Sequence, residues 1–239
     1  MTLRLPGFFF IWTRTTLSGS TPISIVPFCR AVATLALVEL VRAAMARSRS
    51  AAASGLSRHS SVLSRLTGAS GGVGSVAITL LNKLGYRVAA VTGRPEQNGD
   101  LLRSLGATRI IERAELAQPA KPLESTRWAG AVDTVGSQIL AKVLAQTEYD
   151  GAVAACGLAG GMDLPTTVMP FILRNVKLIG VDSVYCPYEK RVAAWQKVAE
   201  LLPESYYAAA SNEIALEAVP EAAAQIIRGE STGRTLVKL

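Results

Sequence analysis

The stretch from Thr67 to Ser75, TGASGGVGS, constrains the fold of this chain more than any other segment. Its glycines at 68, 71 and 74 recur every third residue and stand directly before a helical pattern. Glycine at such positions permits a tight strand-to-helix turn. It also lets backbone N–H groups approach a pyrophosphate and lets the helix pack closely on the sheet. The helix N-terminus adds unpaired donors and a partial positive charge, both suited to a phosphate. A turn without a ligand can use the same glycines, so the surrounding pattern has to decide.

That pattern alternates. Val62–Thr67 reads as a poor first strand, because Ser64 and Arg65 interrupt it. The pattern then predicts a helix over 73–84, a strand over 87–92, a helix over 95–105 and a strand over 109–112. Further strands are expected at 131–135, 152–156, 176–182 and 235–239, with helices at 138–146, 187–202 and 220–228. Gly85 and Gly106 close the first two helices. Strands alternating with helices of about ten residues predict an α/β fold with a doubly wound parallel sheet, a Rossmann-type NAD(P)-binding domain. Ligands of such sheets sit at the C-terminal ends of the strands.

The end of the second strand discriminates between dinucleotides. NAD binders place an acid about 20 residues beyond the glycines, against the ribose hydroxyls. Here the position reads Val91-Thr92-Gly93-Arg94, with a hydroxyl and a guanidinium instead of a carboxylate. A carboxylate would repel a 2′-phosphate, whereas Arg can hold one bidentately. The expected cofactor is therefore NADPH. A solvated turn residue is the other reading of Arg94.

Charge divides the chain in two. Residues 1–65 contain eight Arg, no Lys and a single acid, Glu39, and so carry the whole formal net charge of +7. The remaining residues are neutral overall, which argues against a nucleic-acid partner, since that needs a basic face on the folded part. The expected division is a basic Ser/Arg-rich leader over 1–65, poorly structured or non-homologous, and a cofactor domain over 66–239. Three readings of the leader compete: an organellar transit peptide, the product of out-of-frame translation, and a disordered basic tail. No apolar run approaches the ~20 residues of a membrane span.

Other routes to chemistry are thin. The three cysteines, Cys29, Cys156 and Cys186, are too scattered for a disulfide framework or a paired-cysteine zinc site, and the one histidine is His59 in the leader. None of the six tyrosines has Lys four residues on, so the Tyr-x-x-x-Lys pair of short-chain dehydrogenases is missing. Cys156 reads as a small buried residue, Cys186 as packing or loop, and Trp128 and Trp195 as core or helix-face residues. Asp133, at a strand end before Thr134-Val135-Gly136, is a candidate for shaping the cofactor cleft.

Several motifs together resemble one family. They are GASGGVG from Gly68, TGR from Thr92, WAGAVDTVG from Trp128, AACGLAGG from Ala154, LPTTVMPFILR from Leu164, GVDSV from Gly180 and GRTLVK from Gly233. They are similar to the zinc-free medium-chain dehydrogenases, in the acrylyl-CoA reductase (YhdH-type quinone oxidoreductase) branch. The resemblance runs from about Leu66 to Leu239. It implies NADPH-dependent reduction of an activated C=C bond, with an enoyl-CoA or quinone acceptor and no catalytic zinc. It also implies a dimeric, cytoplasmic, bacterial enzyme.

By the same resemblance, Ser70, Gly71, Gly72 and Val73 hold the pyrophosphate, and Thr92, Gly93, Arg94 and Arg113 hold the adenosine 2′-phosphate end. Leu158, Ile172 and Ser183 line the nicotinamide side, and Arg234 closes over the cofactor. The family's GroES-like catalytic domain has no counterpart in the patterns of residues 1–65, and its first strand is a valine run where this chain has Leu63-Ser64-Arg65-Leu66. A truncated reductase is thus one expectation, and a non-catalytic, NADPH-binding, dimerising remnant is the alternative. An organelle-imported reductase domain is a third.

Overall fold

The computed structural model describes residues 63–238; the expected leader and the readings of it lie outside the described residues, apart from Leu63, Ser64 and Arg65. The first strand, β1 (Leu63–Leu66), leads through the glycine turn into α1 (Gly72–Lys83). The chain continues through β2 (Arg87–Thr92), α2 (Pro95–Ser104) and β3 (Ala107–Glu112), then β4 (Trp128–Asp133), α3 (Ser137–Ala145) and β5 (Thr147–Ala155). Then come α4 (Met169–Arg174), β6 (Lys177–Gly180), α5 (Tyr188–Leu201), α6 (Glu204–Ala210), β7 (Ser211–Ala215), α7 (Val219–Ile227) and β8 (Arg234–Lys238). Short 3-10 turns follow β3 (Arg113–Leu116) and β7 (Leu216–Ala218).

Six strands form one parallel sheet in the order β3-β2-β1-β4-β5-β6. The strand order reverses between β1 and β4, which puts the topological switch point at the end of the glycine turn. The doubly wound expectation therefore holds.

Strand periodicity sorts the core. Leu66, Val88, Ala90, Val132 and Ala154 face α1 and α5, joined by Leu102 of α2 and Tyr206 of α6. The intervening Ala89, Val91, Ala131 and Val153 face the other layer, where Ile139, Leu140, Val143 and Leu144 of α3 cover them. Each fully buried Leu or Ile contributes about 1.5–3 kcal/mol. Among the described residues no helix is long and apolar enough to cross a membrane.

Three differences from the sequence pattern have physical reasons. The expected final strand does not extend the main sheet; β8 pairs in parallel with β7, from Ser211 opposite Arg234 to Ala215 opposite Lys238, as a separate two-stranded sheet. β7 is half to fully exposed, so its sequence carries no apolar alternation. α4 and α6, of 6 and 7 residues, are too short to show helical periodicity.

Arg65 is the third. It sits in a central strand with 1% exposure, where an unpaired charge would be costly. Its Nη1 donates to Gln146 Oε1 at 3.0 Å, and its guanidinium lies against Trp128. Burial pushes its pKa down to about 9, so it still carries its charge at neutral pH.

Candidate dinucleotide site

The glycines of the turn do different work. Gly68 has φ +62°, and a Cβ there would lie 2.1 Å from Thr134 Oγ1. A Cβ on Gly74 would lie 2.3 Å from Gly68 O and 2.7 Å from Ala69 Cα, so this residue exists to let α1 press against the turn. Gly71 is unlike both: the nearest atom to its would-be Cβ is 3.5 Å away. The protein itself leaves room there. Gly71 is also the N-cap of α1, which has no side-chain cap and no acid in its first turn. The uncapped first turn thus presents backbone N–H groups and a positive dipole end to an anion. Ser70 Oγ lies 3.4 Å from Thr92 Oγ1, joining the turn to the end of β2.

At that end, Thr92 Oγ1 accepts the Arg94 N–H at 3.2 Å, and Arg94 caps the start of α2. The Arg113 guanidinium covers Gly93, where an added Cβ would meet Nη2 at 2.9 Å. Arg94 reaches away from its own helix. Its Nη2 donates to Ser231 O at 2.8 Å and its Nη1 to Glu230 O. Thr92, Gly93 and Arg113 thus lie together at the end of β2, while Arg94, which stands where an acid would, lines neither cleft and turns its guanidinium to residues 230–232.

Beneath the cleft lies a buried carboxylate. Asp133 is fully buried at the end of β4. Its Oδ1 accepts the Thr67 hydroxyl at 2.7 Å, and its Oδ2 accepts the N–H groups of Gly136 at 2.7 Å and Val135 at 3.3 Å. Thr67 in turn accepts the Thr134 N–H at 3.0 Å, and Thr134 Oγ1 donates to Thr67 O at 2.9 Å. Burial pushes the Asp133 carboxyl up, and the three hydrogen bonds pull against it. These contacts tie the β4–α3 loop to the end of β1, across the switch point.

Two clefts open on this edge of the sheet. The first, about 470 Å³, is walled by Gly93, Glu112 and Arg113 on one side and by Val135, Gly136 and Ser137 on the other. The second, also about 470 Å³, lies at the ends of β5 and β6, between Ala155–Leu158 and Gly180–Asp182.

Leu158 lines the second cleft and is 61% exposed. Ser183 follows Asp182, the last of its lining residues. Ile172, on α4, is 71% exposed and is not among the residues lining either cleft. Arg234 donates through Nη2 to Gly72 O at 3.1 Å, and Gly233 N donates to Ser70 O at 2.8 Å, so β8 begins against the glycine turn. Cys156 is not the buried residue its neighbours suggest. It is half-buried on the wall of the second cleft, with Sγ 3.4 Å from Asp133 O.

The wall Val135–Ser137 adjoins the WAGAVDTVG motif and the Asp133 position read from the sequence, whereas the segment 230–232 escapes such a reading, since its contacts with Arg94 span more than 130 residues. The residues present fit a dinucleotide: room at Gly71, an uncapped helix start, and a cationic cluster at the end of β2. Among the described residues no three His, Cys, Asp or Glu side chains gather as a group that could hold a metal ion.

The zinc-binding dehydrogenase family matches residues 72–203. The Escherichia coli protein "Probable acrylyl-CoA reductase AcuI" is 60% identical over 174 residues, covering 73% of this chain and 53% of that protein. Acrylyl-CoA reductase AcuI of Ruegeria pomeroyi is 52% identical over 173 residues, covering 72% of this chain and 52% of that protein. The crystal structure of the YhdH oxidoreductase from Salmonella enterica in complex with NADP superposes with a TM-score of 0.78 at 52% identity, covering 89% of this chain and 61% of that one. The chain spans about half the length of the curated relatives it matches.

Proposed function

Because the chain belongs to the zinc-binding dehydrogenase family, we propose that it is the NADPH-binding part of an oxidoreductase of the acrylyl-CoA reductase type, acting on an enoyl-CoA or quinone without zinc. The observation that carries this reading is the pairing of an uncapped glycine turn with a carboxylate-free, arginine-bearing end of β2. NADPH, when bound, supplies the hydride for the acceptor's activated double bond.

This chain's residues bind and orient. Ser70 to Val73 hold the pyrophosphate at the uncapped start of α1, where the Gly71 N–H itself donates to Gly68 O at 3.1 Å, and Thr92, Gly93, Arg94 and Arg113 hold the 2′-phosphate end. Asp133 ties down the loop that walls the first cleft by accepting the N–H groups of Val135 and Gly136. Leu158 presents an apolar surface toward the second cleft, where a nicotinamide ring would lie. Within this reading the chain forms a homodimer through the edge strand β6, whose outer backbone groups have no partner strand among the described residues.

A second reading of the same uncapped glycine turn and arginine is binding of NADPH without turnover. Acrylyl-CoA-dependent loss of NADPH absorbance, measured beside NADPH binding, separates the two. Turnover with binding supports the reductase, and binding alone supports the second reading. Absence of binding contradicts both.

A further inference from the structure

Arg94 does not hold its own position. Its Nη2 lies 3.4 Å from Thr232 Oγ1, in addition to its bonds to Glu230 O and Ser231 O. Nε has no partner among the described residues. The Thr232 hydroxyl donates to Asn98 Oδ1 at 3.0 Å. Asn98 lies on α2 with 4% exposure, and its Nδ2 has no partner among the described residues. A buried amide with an unmet donor is expensive to keep in a helix unless its other end is needed. Here its carbonyl oxygen takes the proton of Thr232. That fixes the hydroxyl so that its lone pairs, not its hydrogen, face the Arg94 guanidinium. The far end of the same segment is pinned by Gly233 N on Ser70 O, so the segment cannot slide away from α2.

We propose that Thr232 and Asn98 are specificity-determining positioning residues, which aim the Arg94 guanidinium at the 2′-phosphate of NADPH. The inference rests on the reading that Arg94 binds that phosphate. With Nη1 on Glu230 O and Nη2 on Ser231 O and Thr232 Oγ1, the guanidinium is already ordered and keeps Nε–H and one Nη1–H for an anion, so it loses less side-chain freedom on binding than one swinging in solvent. The two residues would therefore raise affinity for the phosphorylated dinucleotide alone. NADH has no phosphate at that place, so its binding gains nothing from the alignment.

The test is titration of the full chain with NADPH and with NADH, in four forms: unaltered, Thr232→Val, Thr232→Ser and Arg94→Ala. Valine keeps the shape and removes the hydroxyl, and serine restores it. The expected result is a loss of about fivefold in NADPH affinity for Thr232→Val, the worth of one ordinary hydrogen bond, with NADH affinity unchanged. Thr232→Ser should keep the NADPH preference. A purely structural role would weaken both dinucleotides together, and that outcome overturns the proposal. If Arg94→Ala loses the preference but Thr232→Val does not, the alignment fails while the phosphate reading stands. If Arg94→Ala changes nothing, the phosphate reading falls and the alignment with it.

Discussion

The guanidinium carbon of Arg65 lies 4.2 Å from the centre of the Trp128 ring, with both side chains buried in the middle of the sheet. Both groups also donate to one acceptor, Gln146 Oε1, from Arg65 Nη1 at 3.0 Å and Trp128 Nε1 at 2.9 Å. A cation over an aromatic face, desolvated, is held by the ring's quadrupole. The charge is thus tolerated, which does not make it stabilising. Arg65→Met leaves Gln146 bonded to Trp128, so its unfolding free energy should fall within about 1 kcal/mol of the unaltered chain, or above it. Trp128→Leu takes the aromatic face from the buried charge, leaving it the Gln146 bond, and opens space in the core, so it should lose about 3–5 kcal/mol. Urea unfolding of the two variants checks this; a larger loss for Arg65→Met than for Trp128→Leu contradicts it.

Glu124 extends the same network and makes it sensitive to acid. It bonds Lys142 at 2.8 Å and accepts Gln146 Nε2 at 2.7 Å. Burial pushes its carboxyl up, but the hydrogen bonds from Lys142, Gln146 and the Lys121 N–H outweigh this and hold it below the usual glutamate range. A lowered folded pKa adds stability that is full above the unfolded value and is lost as pH falls through the folded one. Glu124→Gln should therefore be less stable by about 1–2 kcal/mol near neutral pH, and the gap should close below about pH 4. A gap that stays constant through the acid range contradicts the assignment.

Gly71 and Gly74 should part company on substitution. Gly74→Ala drives a methyl into backbone at 2.3 Å, so it should unfold or strongly destabilise the domain. Gly71→Val meets nothing closer than 3.5 Å from its Cβ, so the fold should survive. Its side chain then occupies the phosphate position, and NADPH binding should be lost. Circular dichroism and NADPH titration of both variants read this out. Unchanged affinity in a folded Gly71→Val chain would show that the loop is only a turn.

Association should follow from the edge of the sheet. Among the described residues β6 pairs only with β5, and Val184 and Tyr185 just beyond it are 64% and 86% exposed. Light scattering should give a dimer at concentrations on the order of tens of micromolar, and Val184→Asp with Tyr185→Asp should shift it toward monomer. A monomer for the unaltered chain at that concentration contradicts pairing through β6.

The parts of this molecule legible in its sequence are those built on short-range pattern. The glycine turn, the alternating strands and helices, and the missing acid at Arg94 are all local. Trp128 reads from the sequence only as a core or helix-face residue, and the structure places it in the core on β4. What escapes is set by contacts between distant residues. Nothing near Thr232 marks it as a neighbour of Arg94 and Asn98, which lie 138 and 134 residues away. The half-exposed position of Cys156 depends on where β6 ends beside it. β7 shows no strand signal because its side chains are mostly exposed and its one partner, β8, begins 19 residues after it ends. The tolerance of Arg65 depends on Gln146, 81 residues on.

The central claim is that this domain holds a dinucleotide by its glycine turn and chooses the phosphorylated one through Arg94. Equilibrium titration of the unaltered chain with NADPH and NADH tests it most directly. The account predicts that NADPH binds about 5- to 150-fold more tightly, the range of a charge-assisted contact of about 1–3 kcal/mol. Equal affinities, or tighter binding of NADH, would contradict it.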